Sequence, residues 1–326
     1  MLSKRVNRRG LRSRLEGFLR EHGLVPLLNE PLSRHCTWRI GGPADFLVEP
    51  SSETQIREIL IFCRVKEIPY IVIGKGSNLL FSDDGLTGIV VKLGRKFARV
   101  SIRGRKVIAQ SGVSVPRLAH TICLAGLSGL EHAVGIPGTL GGLVNMNGGS
   151  QRKSISEVIE WVRVIDRHGR IRVLSKKDCG FSYRHSIFQD TDSIIVETGL
   201  KLQYGESKTI HSKMLDILRS RRAKFPIRLP TCGSVLKCTP EMYATVGPPG
   251  KVIEELGLKG LRLGDAEVSR KHANFIVNVG NATASDAQEL IRQIRTAVYD
   301  RTGIWMKCEV KFVNPMGQIQ PAHKQM

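Results

Sequence analysis

Aromatic side chains make up only 6% of the 326 residues, and no apolar run approaches the roughly 18 residues that a membrane-spanning helix requires. The seven cysteines are scattered, and no two of them form the C-x-x-C pair typical of zinc sites. The glycine motifs of Rossmann and Walker nucleotide sites are also missing. These absences argue against a membrane span, a bound metal and a disulfide framework. Scattered thiols are typical of a reducing compartment, so we expect a cytoplasmic protein.

Acidic residues are scarce beside basic ones: 29 Asp and Glu stand against 50 Lys and Arg, and the net charge is +21. Part of this positive charge is concentrated in residues 1–23, which include Lys4 and Arg5. In the same segment, Leu15 and Leu19 recur at helical spacing. This pattern predicts a basic amphipathic helix, with a targeting or membrane-surface role as the alternative. High charge also suits nucleic-acid binding, but the few aromatics fall within strand patterns and count against it.

Short apolar runs dominate residues 24–206 and predict a domain rich in strands. The clearest case is a predicted β-hairpin over residues 161–175, where apolar residues alternate on both sides of a turn at Arg167–Arg170. We predict strands at residues 69–74, 88–93, 106–112, 161–175 (the hairpin) and 193–204.

The pattern changes after residue 206, so we place a boundary there and predict an α+β unit over residues 207–314. One helix begins at Ser207. A second follows Ser285, with Gln288 as its capping-box residue and Gly303 as its end. The segment 305–313 is predicted as a closing strand, and residues 315–326 as a frayed polar tail.

Two glycine-rich loops are the main candidates for ligand binding. The first, "IGKGSNLL", follows an apolar strand directly, and its backbone amides suit a phosphate group. A tight turn is the structural alternative for this loop taken alone. The second, "SGLEHAVGIPGTLGGLVNMNGGS", interleaves apolar residues with glycines, as an ordered loop around a flat ligand does. The cofactor-binding candidates are Gly74, Lys75, Gly76, Ser77, Asn78, Leu79, Gly129, Gly135, Ile136, Pro137, Gly138, Gly141, Asn145, Asn147 and Gly149.

These loops, together with "TWRIGGPADF", "FSYRHSIF", "GSVLK", "GLKGLRLGDAEVSRKHANFIVN" and "CEVKF", resemble the UDP-N-acetylenolpyruvoylglucosamine reductase family in content and order. The likeness covers about residues 24 to 314 and favours the shorter type of this family. It implies an α+β fold: an FAD-binding domain of the vanillyl-alcohol-oxidase type in two subdomains over residues 24–206, followed by a substrate-binding domain over residues 207–314.

The resemblance also implies three catalytic residues. Arg184, in "FSYRHSIF", and Glu309, in "CEVKF", stabilise the enolate that forms when an enolpyruvyl group is reduced. Ser234, in "TCGSVLK", supplies the proton. Without the family motifs, these residues read as a surface arginine, half of a cross-strand ion pair and a turn serine.

The substrate-binding candidates are Tyr183, Arg221, Lys224, Lys237, His272 and Asn274. Arg221 and Lys224 either hold the substrate diphosphate or complement the C-terminus of their helix. The reading from the resemblance is a monomer with non-covalent FAD, which takes hydride from NADPH and passes it to a UDP-sugar in one shared pocket. Another FAD-dependent oxidoreductase is the alternative, and His132 leaves covalent flavin attachment open.

Overall fold

The computed structural model describes residues 8–323, so Lys4, Arg5 and the last three residues of the predicted tail lie outside it. The helices within this range account for the predicted α-helical segments. They are α1 Arg8–Glu21, α2 Glu53–Val65, α3 Val115–Leu124, α4 Leu140–Asn145, α5 Ser207–Lys224, α6 Pro240–Thr245, α7 Pro249–Glu255 and α8 Ala284–Thr302.

Most strands belong to three sheets, ordered β1-β2-β5-β3, β10-β9-β11-β7-β6 and β13-β16-β15-β14. The smaller sheets are β18-β17-β4 and the pair β12-β8. In chain order the strands are β1 Leu27–Pro31, β2 Pro43–Val48, β3 Tyr70–Ile73, β4 Leu79–Phe81, β5 Leu86–Lys92, β6 Val100–Arg103, β7 Lys106–Gln110, β8 Leu127–Ser128, β9 Ile159–Ile165, β10 Ile171–Ser175, β11 Ile194–Lys201, β12 Gln203–Tyr204, β13 Thr231–Ser234, β14 Arg262–Leu263, β15 Ala266–Val268, β16 Phe275–Asn278, β17 Lys311–Val313 and β18 Ile319–Pro321.

The strand predictions of the N-terminal half are confirmed within a few residues. The alternating segment over 161–175 forms the antiparallel pair β9 and β10, with Ile165 opposite Ile171. The first sheet mixes parallel and antiparallel pairs: β5 lies parallel to β2 and β3, and β1 is antiparallel to β2. The loop that leaves β3 is the first glycine loop, so this sheet positions it.

The hydrophobic core is divided in a way that the sequence boundary did not anticipate. Trp38 and Phe81 of the first part share one core with Leu290 and Ile294 of α8. A second core lies between the five-stranded sheet and the helices α3 and α4. Helix α5 packs its buried Met214 into this second core, so it lies against the strand-rich part of the chain. The domain boundaries themselves stay a prediction.

Helix α8 forms where an apolar stripe was predicted, and it ends at Gly303, which has the left-handed φ of 71°. Its start differs from the prediction. Thr283 is the N-cap, and its side chain accepts from the amide of Asp286, whose carboxylate caps Thr283 in return. The capping box therefore lies two residues earlier than the predicted pair of Ser285 and Gln288.

The predicted closing strand over residues 305–313 is formed only at Lys311–Val313, as β17. The preceding residues form only an isolated bridge at Cys308 and a bend at Glu309 and Val310, and they change partners along the segment. The amide of Lys237 donates to the carbonyl of Lys307, and that of Glu309 donates to the carbonyl of Val235. The chain then turns to pair with β4. This change of partner interrupts the strand and places Glu309 at the junction.

Both ends of the described chain pack against the body. Leu15 and Leu19 of α1 are buried against the first sheet, which confirms the amphipathic helix for the described residues. The prediction of a frayed tail is wrong for residues up to 323: β18 pairs with β17, and Ala322 is fully buried. No helix within residues 8–323 is long and apolar enough to cross a membrane.

Candidate active site

The first glycine loop leaves a run of backbone donors unused. Among the described residues, the amides of Lys75, Gly76, Ser77 and Asn78 donate to no acceptor. Gly76 has a left-handed φ of 59°, and a Cβ at this position would lie 2.7 Å from the carbonyl oxygen of His35. Successive unpaired amides form a nest for an anion. The loop therefore fits the diphosphate of the dinucleotide that the sequence predicts.

The two glycine loops meet each other. The side chain of Thr139, in the second loop, lies against Gly74 so closely that a Cβ there would collide with it. Asn78 of the first loop places its Nδ2 atom 3.7 Å from the Sδ atom of Met146. The loops are thus in direct contact, which the predicted binding of a single extended ligand by both of them requires.

Replacing Gly76 with alanine should lower flavin affinity. The left-handed backbone and the close carbonyl together cost about 2 kcal/mol, which corresponds to a roughly thirtyfold loss. The flavin absorbance per protein after purification and the FAD dissociation constant of the apoprotein would measure this. Gly17→Ala is the matched control, because nothing lies within 4 Å of a Cβ at that position. Full flavin content in Gly76→Ala would contradict this role of the loop.

Two predicted cofactor residues of the second loop are occupied by protein contacts. The Nδ2 atom of Asn147 donates to the carbonyl of Ser182 at 2.8 Å. The carbonyl of Asn145 accepts from the hydroxyl of Ser186 at 2.6 Å. These bonds tie the second loop to the "FSYRHSIF" segment. Of the other predicted residues in this loop, Pro137 is exposed. The rest are buried or half-buried, namely Gly129, Gly135, Ile136, Gly138, Gly141 and Gly149.

Arg184 lies in a two-residue hairpin turn of that segment. The amide of Ser182 donates to the carbonyl of His185 and the amide of His185 to the carbonyl of Ser182, both at 3.1 Å. Arg184 has a φ of 55°, a region that non-glycine residues seldom adopt. The adjacent Tyr183 is 59% exposed, with its ring centre 5.7 Å from the guanidinium carbon. The turn thus presents two polar side chains together.

The turn brings Arg184 to Glu309, as the resemblance implies. The Nε atom of Arg184 lies 3.3 Å from the Oε1 atom of Glu309. This Nε is buried against Glu309, whereas the Arg184 side chain as a whole is 26% exposed, so a ligand would have to meet its exposed part. The Glu309 backbone is fixed on both sides, since its amide donates to Val235 at 2.8 Å and its carbonyl accepts from Asn78 Nδ2 at 3.0 Å.

Burial raises the pKa of the Glu309 carboxyl, and the positive charges of Arg184 and Lys237 oppose that rise. A carboxyl whose folded-state pKa is raised contributes stability below its unfolded pKa, near 4.3, and loses it as pH rises through the folded value. The wild-type protein should therefore lose stability between pH 5 and pH 8 relative to a variant with no titratable group at this position.

The melting temperature of Glu309→Gln, compared with that of wild type, should consequently rise between pH 5 and pH 8. Calorimetry of FAD-saturated protein at both pH values would measure the difference. Glu289→Gln is the control: Arg292 holds the pKa of Glu289 at about 2, so it stays ionised at both pH values. If the melting-temperature difference between Glu309→Gln and wild type is the same at the two pH values, the raised pKa of Glu309 is contradicted.

Ser234 is the last residue of β13, where it pairs with Phe275 of β16. Gly233 before it has a φ of 87°, so the chain turns there in a way that favours glycine. Ser234 also precedes Val235, whose carbonyl accepts from the amide of Glu309. Ser234, the predicted proton donor, is therefore the direct neighbour of the residue that bonds to the Glu309 backbone.

Asn274, a predicted substrate-binding residue, has its side chain turned to the protein backbone. The side chain is buried, Oδ1 accepts from the amide of Leu236, and Nδ2 donates to the Leu236 carbonyl, both at 2.9 Å. It holds the segment after Ser234, so its contacts favour a structural role. His272 is half-buried between the rings of Phe225 and Phe275, and this burial lowers its pKa.

The remaining predicted substrate residues differ in position. Arg221 of α5 packs against Gly135 of the second loop, with its guanidinium carbon 5.0 Å from the centre of the Phe225 ring. Burial, and then the charge of Arg184, lowers the pKa of Arg221. Arg221 thus lies at the site, whereas Lys224 is exposed in the last turn of α5.

A cleft of about 500 Å³ opens beside these residues. Its apolar lining includes Phe225 and Leu229, and its cationic side chains include Arg222 and Lys271. The Lys271 ammonium also donates to the carbonyl of Arg222, at 2.6 Å. An aromatic ring beside several cations suits a nucleotide.

Sequence reasoning missed two residues that shape the site. Thr139 joins the two loops, as does Met146 of the predicted lining segment 145–149, and Gln189 bonds to the Arg184 turn. Thr139 had a signal in its place between the loop glycines, but Gln189 had none. Within residues 8–323, no group of three or more His, Cys, Asp or Glu side chains is arranged to hold a metal ion.

The two apposed glycine loops lie beside the Arg184–Glu309 pair, an arrangement that suits a flavin-dependent enzyme. The comparisons with known families agree with this class. Residues 44–175 match the family model described as an FAD binding domain. Residues 225–313 match the model described as the C-terminal domain of UDP-N-acetylenolpyruvoylglucosamine reductase. The chain is thus built as an FAD-binding domain of the vanillyl-alcohol-oxidase type followed by the C-terminal domain of this reductase.

Relatives of similar length carry the same name over most of the chain. UDP-N-acetylenolpyruvoylglucosamine reductase 1 of Corynebacterium glutamicum is 46% identical over 88% of this chain and 86% of its own. The Heliobacterium modesticaldum reductase is 41% identical, over 88% and 90%. The crystal structure of the Thermus caldophilus reductase superposes with a TM-score of 0.75 at 32% identity, over 89% of this chain and 98% of that one. The chain belongs to the UDP-N-acetylenolpyruvoylglucosamine reductase family.

Proposed function

We propose that this chain catalyses the NADPH-dependent reduction of UDP-N-acetylglucosamine enolpyruvate to UDP-N-acetylmuramate, a step of peptidoglycan precursor synthesis in the cytoplasm. One observation carries the proposal: Arg184 and Glu309 lie 3.3 Å apart beside the two glycine loops, with Ser234 on the adjoining strand. These are the groups that reduction of a carbon–carbon double bond conjugated to a carboxylate requires.

FAD, when bound, supplies the hydride that it has taken from NADPH. The unpaired amides of Lys75–Asn78 would hold its diphosphate, and the second loop would line the rest of the cofactor. His132 is only 3% exposed, and burial lowers its pKa. An enclosed ring of this kind has little surface to offer to a ligand, which supports the non-covalent binding that the sequence predicts.

Arg184 would bind the substrate carboxylate. Its guanidinium is permanently charged, is held by a rigid turn, and belongs to a side chain that is 26% exposed. Negative charge grows on that carboxylate in the transition state, so a fixed cation there lowers the barrier. Glu309, with its raised pKa, would share a proton with the developing enol. Lys237, whose positive charge acts on Glu309, would offset negative charge in the site.

Ser234 would deliver the proton to the α-carbon. A serine hydroxyl is a weak acid, so it needs cationic surroundings to act in this way. The charges of Lys237 and Arg184 act on the neighbouring Glu309 and supply such a field. Tyr183 and His272 would border the substrate at the rim of the site.

Arg221 and Lys224 would hold the diphosphate of the UDP-sugar, with Arg221 the nearer to the reacting groups. The nucleoside would then occupy the cleft beside Phe225 and Lys271. Stacking on the aromatic ring and cation–phosphate contacts both suit this end of the substrate. We propose that the enzyme acts as a monomer.

Steady-state kinetics test the shared pocket. Varying NADPH at several fixed concentrations of the enolpyruvyl UDP-sugar should give parallel double-reciprocal lines. The reason is that NADP⁺ must leave the pocket before the UDP-sugar enters. Intersecting lines, with a complex that holds both substrates, would contradict this. An FAD enzyme that oxidises NADPH but leaves the UDP-sugar untouched would favour the alternative, another oxidoreductase of the same fold.

A further inference from the structure

Gln189 is the residue that joins Arg184 to the second glycine loop. Its Nε2 atom donates to the carbonyl of Arg184 and to the carbonyl of Asn145, both at 3.1 Å. A side-chain amide has two N–H groups, so these two bonds use its full donor capacity. No other side chain in the described residues bonds to the Arg184 carbonyl.

The Arg184 turn needs such a partner. Its φ of 55° places a non-glycine residue in the left-handed region, where the Cβ crowds the backbone. Such a conformation persists only when the surrounding structure holds it in place. The hairpin bonds between Ser182 and His185 fix the ends of the turn. The bond from Gln189 fixes the carbonyl of Arg184 itself.

The same amide sets where the turn lies relative to the loop. The carbonyl of Asn145 accepts from both Gln189 and the fully buried Ser186. Asn145 is next to Met146, which contacts Asn78, and Asn78 in turn holds the carbonyl of Glu309. A continuous set of contacts therefore connects the backbones of Arg184 and Glu309 through the second loop.

We propose that Gln189 is a positioning residue, which fixes the guanidinium of Arg184 at the distance from Glu309 and from the substrate carboxylate that the reaction needs. This inference rests on the proposed function. Without the two donors, the left-handed turn would relax and the guanidinium would move away from Glu309. Both bonds that Gln189 donates end on backbone carbonyls, so in this proposal its effect on the reaction passes through the position of Arg184.

Three substitutions separate the donors from the shape of the side chain. Gln189→Met keeps the length but loses both donors, and should slow flavin reoxidation by the UDP-sugar roughly tenfold, within the range for coupled neighbours. Gln189→Glu presents a carboxylate to two carbonyl oxygens and should lose at least as much. Gln189→Lys restores donors for both carbonyls and should recover most of the rate.

A double-mutant cycle with Arg184→Ala distinguishes positioning from a general structural role. If Gln189 acts through Arg184, adding Gln189→Met to Arg184→Ala should change the reoxidation rate by less than about twofold. The cycle should repeat in the dissociation constant of UDP-N-acetylmuramate, measured by calorimetry on the FAD-loaded protein. Melting temperature and flavin content serve as controls for folding.

Equal rates in wild type and Gln189→Met would overturn the proposal, as would effects that simply add in the double variant. If Gln189→Met fails to fold, Gln189→Glu and Gln189→Lys carry the same comparison. Wild-type turnover in the same experiment reports on the proposed function separately. Its absence would refute that function, whereas full additivity with an active wild type would refute only the role of Gln189.

Discussion

Replacing Ser234 with alanine should leave reduction of the flavin by NADPH nearly unchanged and slow its reoxidation by the UDP-sugar at least roughly a hundredfold. The first half-reaction places no proton on substrate carbon, but the second requires one. Ser234 lies at the end of β13, one residue from the carbonyl that holds the Glu309 amide. Loss of its hydroxyl removes the proposed proton donor and leaves the backbone groups of the strand pairing in place.

Stopped-flow absorbance can follow each half-reaction of Ser234→Ala alone. Ser101→Ala is a suitable control, because Ser101 is an exposed serine in β6, on the outer edge of the five-stranded sheet. Reoxidation of Ser234→Ala at the wild-type rate would show that Ser234 only shapes the turn. A bound water would then be the first candidate for the proton donor.

Arg184→Lys should have the second large effect, a loss of roughly a hundredfold to a thousandfold in the reoxidation step, as for removal of one oxyanion donor. Lysine keeps the charge but lacks the planar fork that matches a carboxylate. The buried Nε of Arg184, which lies 3.3 Å from Glu309 and is without a hydrogen bond, is lost with it. The affinity for UDP-N-acetylmuramate should fall in parallel.

Arg219→Lys provides the control for Arg184→Lys, because its side chain is 74% exposed and pairs only with Asp216. The same stopped-flow measurement applies, with NADPH reduction as the internal reference. A variant with wild-type reoxidation would mean that any cation at position 184 suffices. Equal slowing of both half-reactions would instead indicate a disturbed flavin site.

The sequence predicts local features of this fold well. The first glycine loop was predicted because Gly74 and Gly76 follow an apolar strand, and the unpaired amides are found there. The hairpin and α8 follow from periodicity of two and of about four. By contrast, the tail was judged from its polar composition, and a short edge strand such as β18 gives little periodic signal.

Long-range features were beyond local patterns. No property of "FSYRHSIF" or "CEVKF" taken alone says that Arg184 meets Glu309, and only the family resemblance implied it. A polar residue in a motif suggests ligand binding, as for Asn274, but the sequence does not show that its amide bonds to both backbone groups of Leu236. Gln189 was missed because a glutamine in a short helical turn looks like a surface residue.

Turnover of the purified chain with FAD, NADPH and UDP-N-acetylglucosamine enolpyruvate tests the central claim most directly. The loss of NADPH absorbance is followed while mass spectrometry identifies the product. We predict that NADPH disappears mole for mole with the formation of UDP-N-acetylmuramate, two hydrogens heavier than the substrate. NADPH oxidation that depends on oxygen alone, with the enolpyruvyl sugar recovered unchanged, would contradict the account.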